Sequence, residues 1–183
     1  MTREAAFTLV KEHVKNRNLL KHMLAVEAVM RRLALHLGED QELWGLAGLL
    51  HDVDYDQTVD QPARHGLVGA ELLAEKGCPP ELIYAVKAHN EMLGVPPLSL
   101  MDKALYAVDP VTGLLVAAAL IHPAKKLASI DQDFVSNRYK EKGFARGAGR
   151  EQIETCGELG LTLNHFIALS LEAMQGISKE LGL

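Results

Sequence analysis

Apolar residues recur at intervals of three and four along almost the whole chain, and no stretch alternates apolar with polar residues over the length of a strand. The pattern predicts an all-α fold, a multi-helix bundle. A short helix is expected from Thr2 to Lys15, and a second from near Asn18 to Leu37, where Gly38 supplies the C-cap. His22 lies early in that helix and shares its apolar face with Val26, Val29 and Leu33. A third helix starts after Glu39-Asp40, carries Trp44, Ala47 and Gly48, and ends at His51-Asp52. Val53 to Gln57 reads as a polar loop. Pro62 is placed to open the next helix, continuing through His65, Val68 and Gly69 to Gly77, with Gly69 read as a close-packing position. Cys78-Pro79-Pro80 is a break, and a fifth helix runs from Glu81 to about His89. The sixth begins at Ser99, with Asp102 at the capping-box position, and reaches Asp109-Pro110, where the proline is expected to kink or interrupt it. Three more helices are expected at Asp131 to Tyr139, Arg150 to Leu159 and Thr162 to Leu181, with Gly143, Gly147 and Gly149 in an irregular connection.

With 183 residues, the chain suits one domain. Hydrophobic residues make up 48% and charged residues 23%, which is too apolar for disorder. The net charge of -5 is spread along the chain, so there is no strong nucleic-acid signal. The exception is a basic segment at residues 138–150. Two cysteines, Cys78 and Cys156, stand far apart, so neither a disulfide framework nor a thiolate zinc site is expected. The N-terminal residues lack the pattern of a secretory signal, and the longest apolar stretch, Gly113 to Ile121, is short for a membrane span. A cytoplasmic protein with no membrane partner is the expectation.

Residues of metal-ligand type stand on, or next to, the inner faces of successive helices: His22, His51-Asp52, His65, His89 and Asp109. A lone buried histidine is usually structural, but an ordered set that includes an adjacent His-Asp pair is a ligand set for one or two divalent transition ions, Fe, Mn, Zn, Co or Ni. Helical bundles build such sites from facing helices. The order of these residues resembles that of the HD superfamily of metal-dependent phosphohydrolases. So do Gly48-Leu49-Leu50-His51-Asp52, the segment His65 to Leu72, and Ala107-Val108-Asp109. The resemblance implies a single domain over 1–183, with a motif core at about 18–115 and a C-terminal helical extension at about 123–183. It also implies that His22, His51, Asp52 and Asp109 bind one metal, that His65 and His89 add a second, and that Asp52 bridges the two.

The same resemblance implies hydrolysis of a phosphate ester or anhydride in a small phosphorylated molecule, a nucleotide being one candidate, by a metal-held hydroxide. His51 and Asp52 would act there, with Lys103 or an arginine such as Arg146 binding phosphate and stabilising its charge. Ser99 to Asp109 is similar to the corresponding helix of HD-type dinucleoside polyphosphate hydrolases. Where many HD phosphodiesterases carry a lysine three residues after the aspartate, this chain has Tyr55, and Asp54 and Asp56 are expected to repel a polyanion. Two other roles fit the scaffold, a di-iron oxygenase and a non-catalytic sensor domain stapled by its metal. His13, His36, His122 and His165 match nothing in the motif and are read as surface or packing residues.

Overall fold

The computed structural model describes residues 1–183 as helices and turns, without a strand. Its first elements follow the expected punctuation. Helix α1 (Arg3–His13) starts at Thr2, whose hydroxyl accepts from Ala5 N, and α2 (Arg17–Leu37) starts at Asn16 and ends at Gly38, in the left-handed region at φ 76°. Asp40 caps α3 (Gln41–Leu50), and α3 packs along α2 more extensively than any other pair of helices. Gly48 permits that approach, since a Cβ there would lie 2.9 Å from the Val26 carbonyl oxygen.

The segment after His51-Asp52 departs from the expected loop. Val53 and Asp54 are buried in a turn that leads into a short helix, α4 (Tyr55–Thr58). The helix expected to run from Pro62 through His65 is interrupted. A single 3-10 turn, Pro62–Arg64, is followed by His65 and by Gly66 at φ 79°, and α5 (Leu67–Glu75) begins only after them. Gly66 is required there twice over, by its left-handed backbone and because a Cβ would meet the Val86 carbonyl oxygen at 2.9 Å. Helix α6 (Pro80–Ala88) follows, with His89 as its C-cap.

Helix α7 (Leu100–Ile121) is the central strut. Ser99 and Asp102 form the full capping box, and the helix continues past Pro110 for eleven residues to Ile121, so the proline does not interrupt it. Proline removes one N–H and crowds the carbonyl four residues back. Burial of Pro110 and of neighbours such as Val108, Val111, Leu114 and Leu115 outweighs that penalty. Counted as a whole, α7 is long and apolar enough to cross a membrane, contrary to the estimate from its apolar tail alone, and 56% of its apolar window is buried inside the bundle. Helices α8 (Gln132–Lys140), α9 (Arg150–Glu154), α10 (Leu163–Gly176) and α11 (Ser178–Leu181) close the remaining sides. One cluster of 47 buried residues, Trp44 among them, joins the N-terminal and C-terminal helices in a common core. Cys78 and Cys156 are both buried free thiols within it.

Candidate metal centre

Three helix ends and two helix bodies deliver the cluster. His51 and Asp52 leave the end of α3, His89 caps α6, His65 stands in the turn before α5, His22 projects from α2 and Asp109 from the middle of α7. The structure brings all six together. The Nε2 atom of His22 lies 3.0 Å from Asp109 Oδ1, 3.2 Å from His51 Nε2 and 3.6 Å from Asp52 Oδ2. On the other side of Asp52, its Oδ1 lies 3.1 Å from His65 Nε2 and 3.5 Å from His89 Nε2, and those two nitrogens are 3.0 Å apart. One carboxylate thus faces two groups, His22 with His51 and His65 with His89, each of which could hold an ion.

The second nitrogen of every ring is already committed. His51 Nδ1 is 2.8 Å from the Gly48 carbonyl oxygen and His89 Nδ1 is 2.6 Å from that of Val86. His65 Nδ1 is 2.9 Å from Asp54 Oδ1. His22 Nδ1 is 3.1 Å from the Thr112 hydroxyl, which itself donates to the Asp109 carbonyl oxygen and so accepts from the ring. With carbonyl, carboxylate and hydroxyl acceptors at all four Nδ1 atoms, the Nε2 atoms are the ones left free to face an ion. Ligands about 2.1 Å from a shared ion stand about 3.0 to 3.4 Å apart, so these spacings fit a divalent transition metal in each group.

Charge leads to the same conclusion. Burial disfavours the carboxylate forms of Asp52 and Asp109, yet the surrounding imidazoles overcome it and hold both below the usual range. Burial likewise opposes a charged His65, but Asp52 and Asp54 outweigh it and raise the ring to about 10, and Asp109 raises His22 in the same way. At His51 burial outweighs the opposing pull of Asp52 and Asp109 and drives the ring down to about 4. The cluster therefore demands positive charge between its carboxylates.

Above the cluster is an open cleft of ≈ 740 Å³, floored by His22, Asp52, His65, His89 and Asp109 and walled by polar groups, among them the neutral Asn18, Tyr55 and Gln152 and the acid Glu91. Tyr55, three residues after Asp52, stands edge-on to His65 with ring centroids 5.2 Å apart. Lys103 is elsewhere: its ammonium is 3.1 Å from Glu158, and it does not line the cleft. Arg146 is exposed and does not line the cleft either. Its neighbour Arg150 turns inward instead, donating to the carbonyl oxygens of Tyr139, Phe144, Ala145 and Ala148 at 2.7 to 3.3 Å. That network holds Ala145 at φ 44° and lays Gly147 against the cleft.

Two residues were not anticipated. Asp54, read from sequence as a repulsive acid, is 1% exposed and accepts from Gly66 N at 2.9 Å and Gly69 N at 2.7 Å as well as from His65. Gly69 is small because of that carboxylate, whose Cγ lies 3.2 Å from where its Cβ would be, rather than because of helix packing. Asp56 is also occupied, accepting from Lys15 N at 2.6 Å. Thr112 is the second, buried three residues beyond Asp109. A hydrogen-bond acceptor behind each ligating histidine is a general need of metal sites, and that need is the signal that could have singled both out.

The HD domain family model matches residues 19–119. Among curated proteins, the chain is 31% identical over 139 residues to Ribonuclease Y of Desulfotalea psychrophila and 32% identical over 137 residues to Ribonuclease Y of Sulfurovum sp.. Each alignment takes in 73% of this chain and 26% of the relative, so the chain spans about a quarter of the length of the curated relatives it matches.

Proposed function

The chain belongs to the HD domain family, and on that premise we propose that it is a metal-dependent phosphohydrolase acting on a small phosphorylated molecule. The observation that carries the reading is the shared Asp52, flanked by two pairs of Nε2 atoms beneath an open cleft. His22, His51, Asp52 and Asp109 would hold one ion, and Asp52, His65 and His89 a second. Divalent ions there would polarise a phosphoryl oxygen and bring the pKa of water towards neutrality. The protein's own contribution is orientation: Gly48, Val86, Asp54 and Thr112 fix the four rings, and the neutral amides of Asn18 and Gln152 with the Tyr55 hydroxyl offer hydrogen bonds to phosphate oxygens. Neither Lys103 nor Arg146 has a part in this scheme.

The relatives' name raises RNA as a substrate, but no lysine or arginine lines the cleft, and binding along a polynucleotide backbone rests on such residues. That favours a small ester or anhydride, nucleotides included. The test is metal analysis of the purified protein, followed by assays of monoester, diester and anhydride substrates with added Mn, Fe, Co, Ni and Mg. Activity that chelation removes, metal restores and Asp52→Ala abolishes is expected. No hydrolysis with any ion, or activity indifferent to Asp52→Ala, overturns the reading. Histidine and carboxylate ligands also suit iron, so dioxygen uptake by the iron-loaded protein is measured alongside, and uptake without hydrolysis would assign an oxygenase instead.

A further inference from the structure

The cleft does not end at His22. Asn18 and His22 also border a second cavity of ≈ 460 Å³ between α2 and α7, and His22, Asp109 and Gly113 connect both to a third of ≈ 390 Å³ under residues 145–148. The three form one groove that starts at the metal cluster and runs along α7. Its character changes on the way. Beyond His22 the wall is made by Ala25, Gly113, Val116, Leu120 and Leu181, with Lys21 as its one cation. Lys21 makes no ion pair, so the groove combines an aliphatic wall with an unpaired positive charge. Beyond His22 no aromatic ring lines this wall, whereas recognition of nucleobases draws on aromatic stacking.

Gly113 marks the junction. It lies one helical turn after Asp109, in the middle of a 22-residue helix, where glycine weakens the helix relative to alanine. Packing does not call for it, because a Cβ there would meet nothing within 4 Å. What the missing side chain leaves is open floor where the groove joins the cluster. From Asp109 to Leu120 the groove follows α7 for about 16 Å, at 1.5 Å per residue. It reaches Leu120, which is 49% exposed.

We propose that this groove is the subsite for the non-phosphate part of the substrate and that this part is an aliphatic chain, making the substrate an anionic phosphorylated amphiphile. The proposal rests on the phosphohydrolase reading of the cluster. In the reaction, a water oxygen bonds to phosphorus while the bond from phosphorus to the alkyl oxygen breaks. That oxygen takes a proton from the water and leaves as an alcohol along α7, and inorganic phosphate remains at the cluster.

The test measures binding of ethyl, butyl, hexyl and octyl phosphate to the metal-loaded protein by calorimetry, below their micelle concentrations, with inorganic phosphate and a nucleoside 5′-monophosphate for comparison. Affinity should rise about fourfold per added methylene, the ratio expected for burying one such group. Gly113→Leu, which improves helix propensity while filling the junction, should reduce hexyl phosphate to the affinity of ethyl phosphate and leave metal content and inorganic phosphate binding unchanged. Val116→Asp, on the same wall, should act likewise. Affinity independent of chain length, a length dependence that survives both substitutions, or a nucleotide bound more tightly than hexyl phosphate overturns the proposal. Length-dependent binding without turnover of any alkyl phosphate supports the groove and overturns the hydrolase reading. Turnover without length dependence does the reverse.

Discussion

Replacing Asp54 with asparagine changes the kind of one atom and the position of none. Oδ2 of Asp54 accepts from two backbone N–H groups, Gly66 at 2.9 Å and Gly69 at 2.7 Å, so the amide oxygen must stay on that side. The new NH2 then faces His65 Nδ1 where Oδ1 stood at 2.9 Å. Two donors cannot share that contact, and the ring resolves it by moving its proton to Nε2, the atom 3.1 Å from Asp52. The lone pair needed for a metal is lost. Removing a hydrogen bond between charged or polarised partners costs about 1.5–3 kcal/mol, and mutating the partner of a ligating histidine costs about 10–100-fold in metal affinity. For a chain of this size a loss of about 2 kcal/mol corresponds to a fall of about 4–8 °C in melting temperature. Metal titration with stoichiometry by elemental analysis should show the ion at His65 and His89 weakened by that factor and the ion at His22, His51 and Asp109 retained. Nitrogen-15 spectra of the metal-free variant, taken at a pH where the His65 ring is neutral, should show its single proton on Nε2. Two ions bound at parental affinity, or a His65 still protonated on Nδ1, would refute the reasoning.

Because Asp52 faces both groups, Asp52→Ala should empty both, whereas His65→Ala with His89→Ala should lower stoichiometry to one; equal losses in the two variants would show that the groups are not separate. Thr112→Val should weaken only the group containing His22, by about tenfold, and an equal effect on both ions would place the cause in the fold instead. Glu27 is buried and accepts from Arg3 at 2.6 Å and Arg31 at 3.0 Å. Removing it as Glu27→Ala should cost about 2 kcal/mol, within the range for hydrogen bonds to charged groups, seen by denaturant titration with metal content unchanged. Gly48→Ala should destabilise by about 1–3 kcal/mol through overpacking, since its Cβ would press on the Val26 backbone, and a neutral effect would mean that α2 and α3 can part more easily than their contact suggests.

The clustering of the six residues was legible in the sequence because they stand at helix ends and on apolar faces, where periodicity and caps can be read. Ser99 with Asp102 and Gly38 were legible for the same reason. Asp54 was not: its charge is visible in the sequence, but its burial comes from residues eleven to fifteen positions away, across a turn created by Gly66. Lys103 was expected at phosphate from the family resemblance, and only the packing of the chain's last third shows that Glu158 stands opposite it. Pro110 was read from its local penalty, which the burial around α7 overrides. The basic segment offered several arginines and no periodicity by which to choose the one that turns inward.

That inward arginine bears on how the cleft can change over time. Arg150 binds the stretch from Tyr139 to Ala148 through main-chain oxygens, the Tyr139 ring beneath its guanidinium being the side-chain contact there. The path of this loop is therefore nearly independent of which amino acids compose it, provided that the backbone can still follow it. Gly147 and its neighbours border the cavities beside Asp109, so mutation can alter the lining there while the histidines, the carboxylates and the helices that carry them stay as they are. One guanidinium thus uncouples the lining of the cleft from the cluster beneath it, and residues 141–147 are where that lining can be varied at least cost to folding.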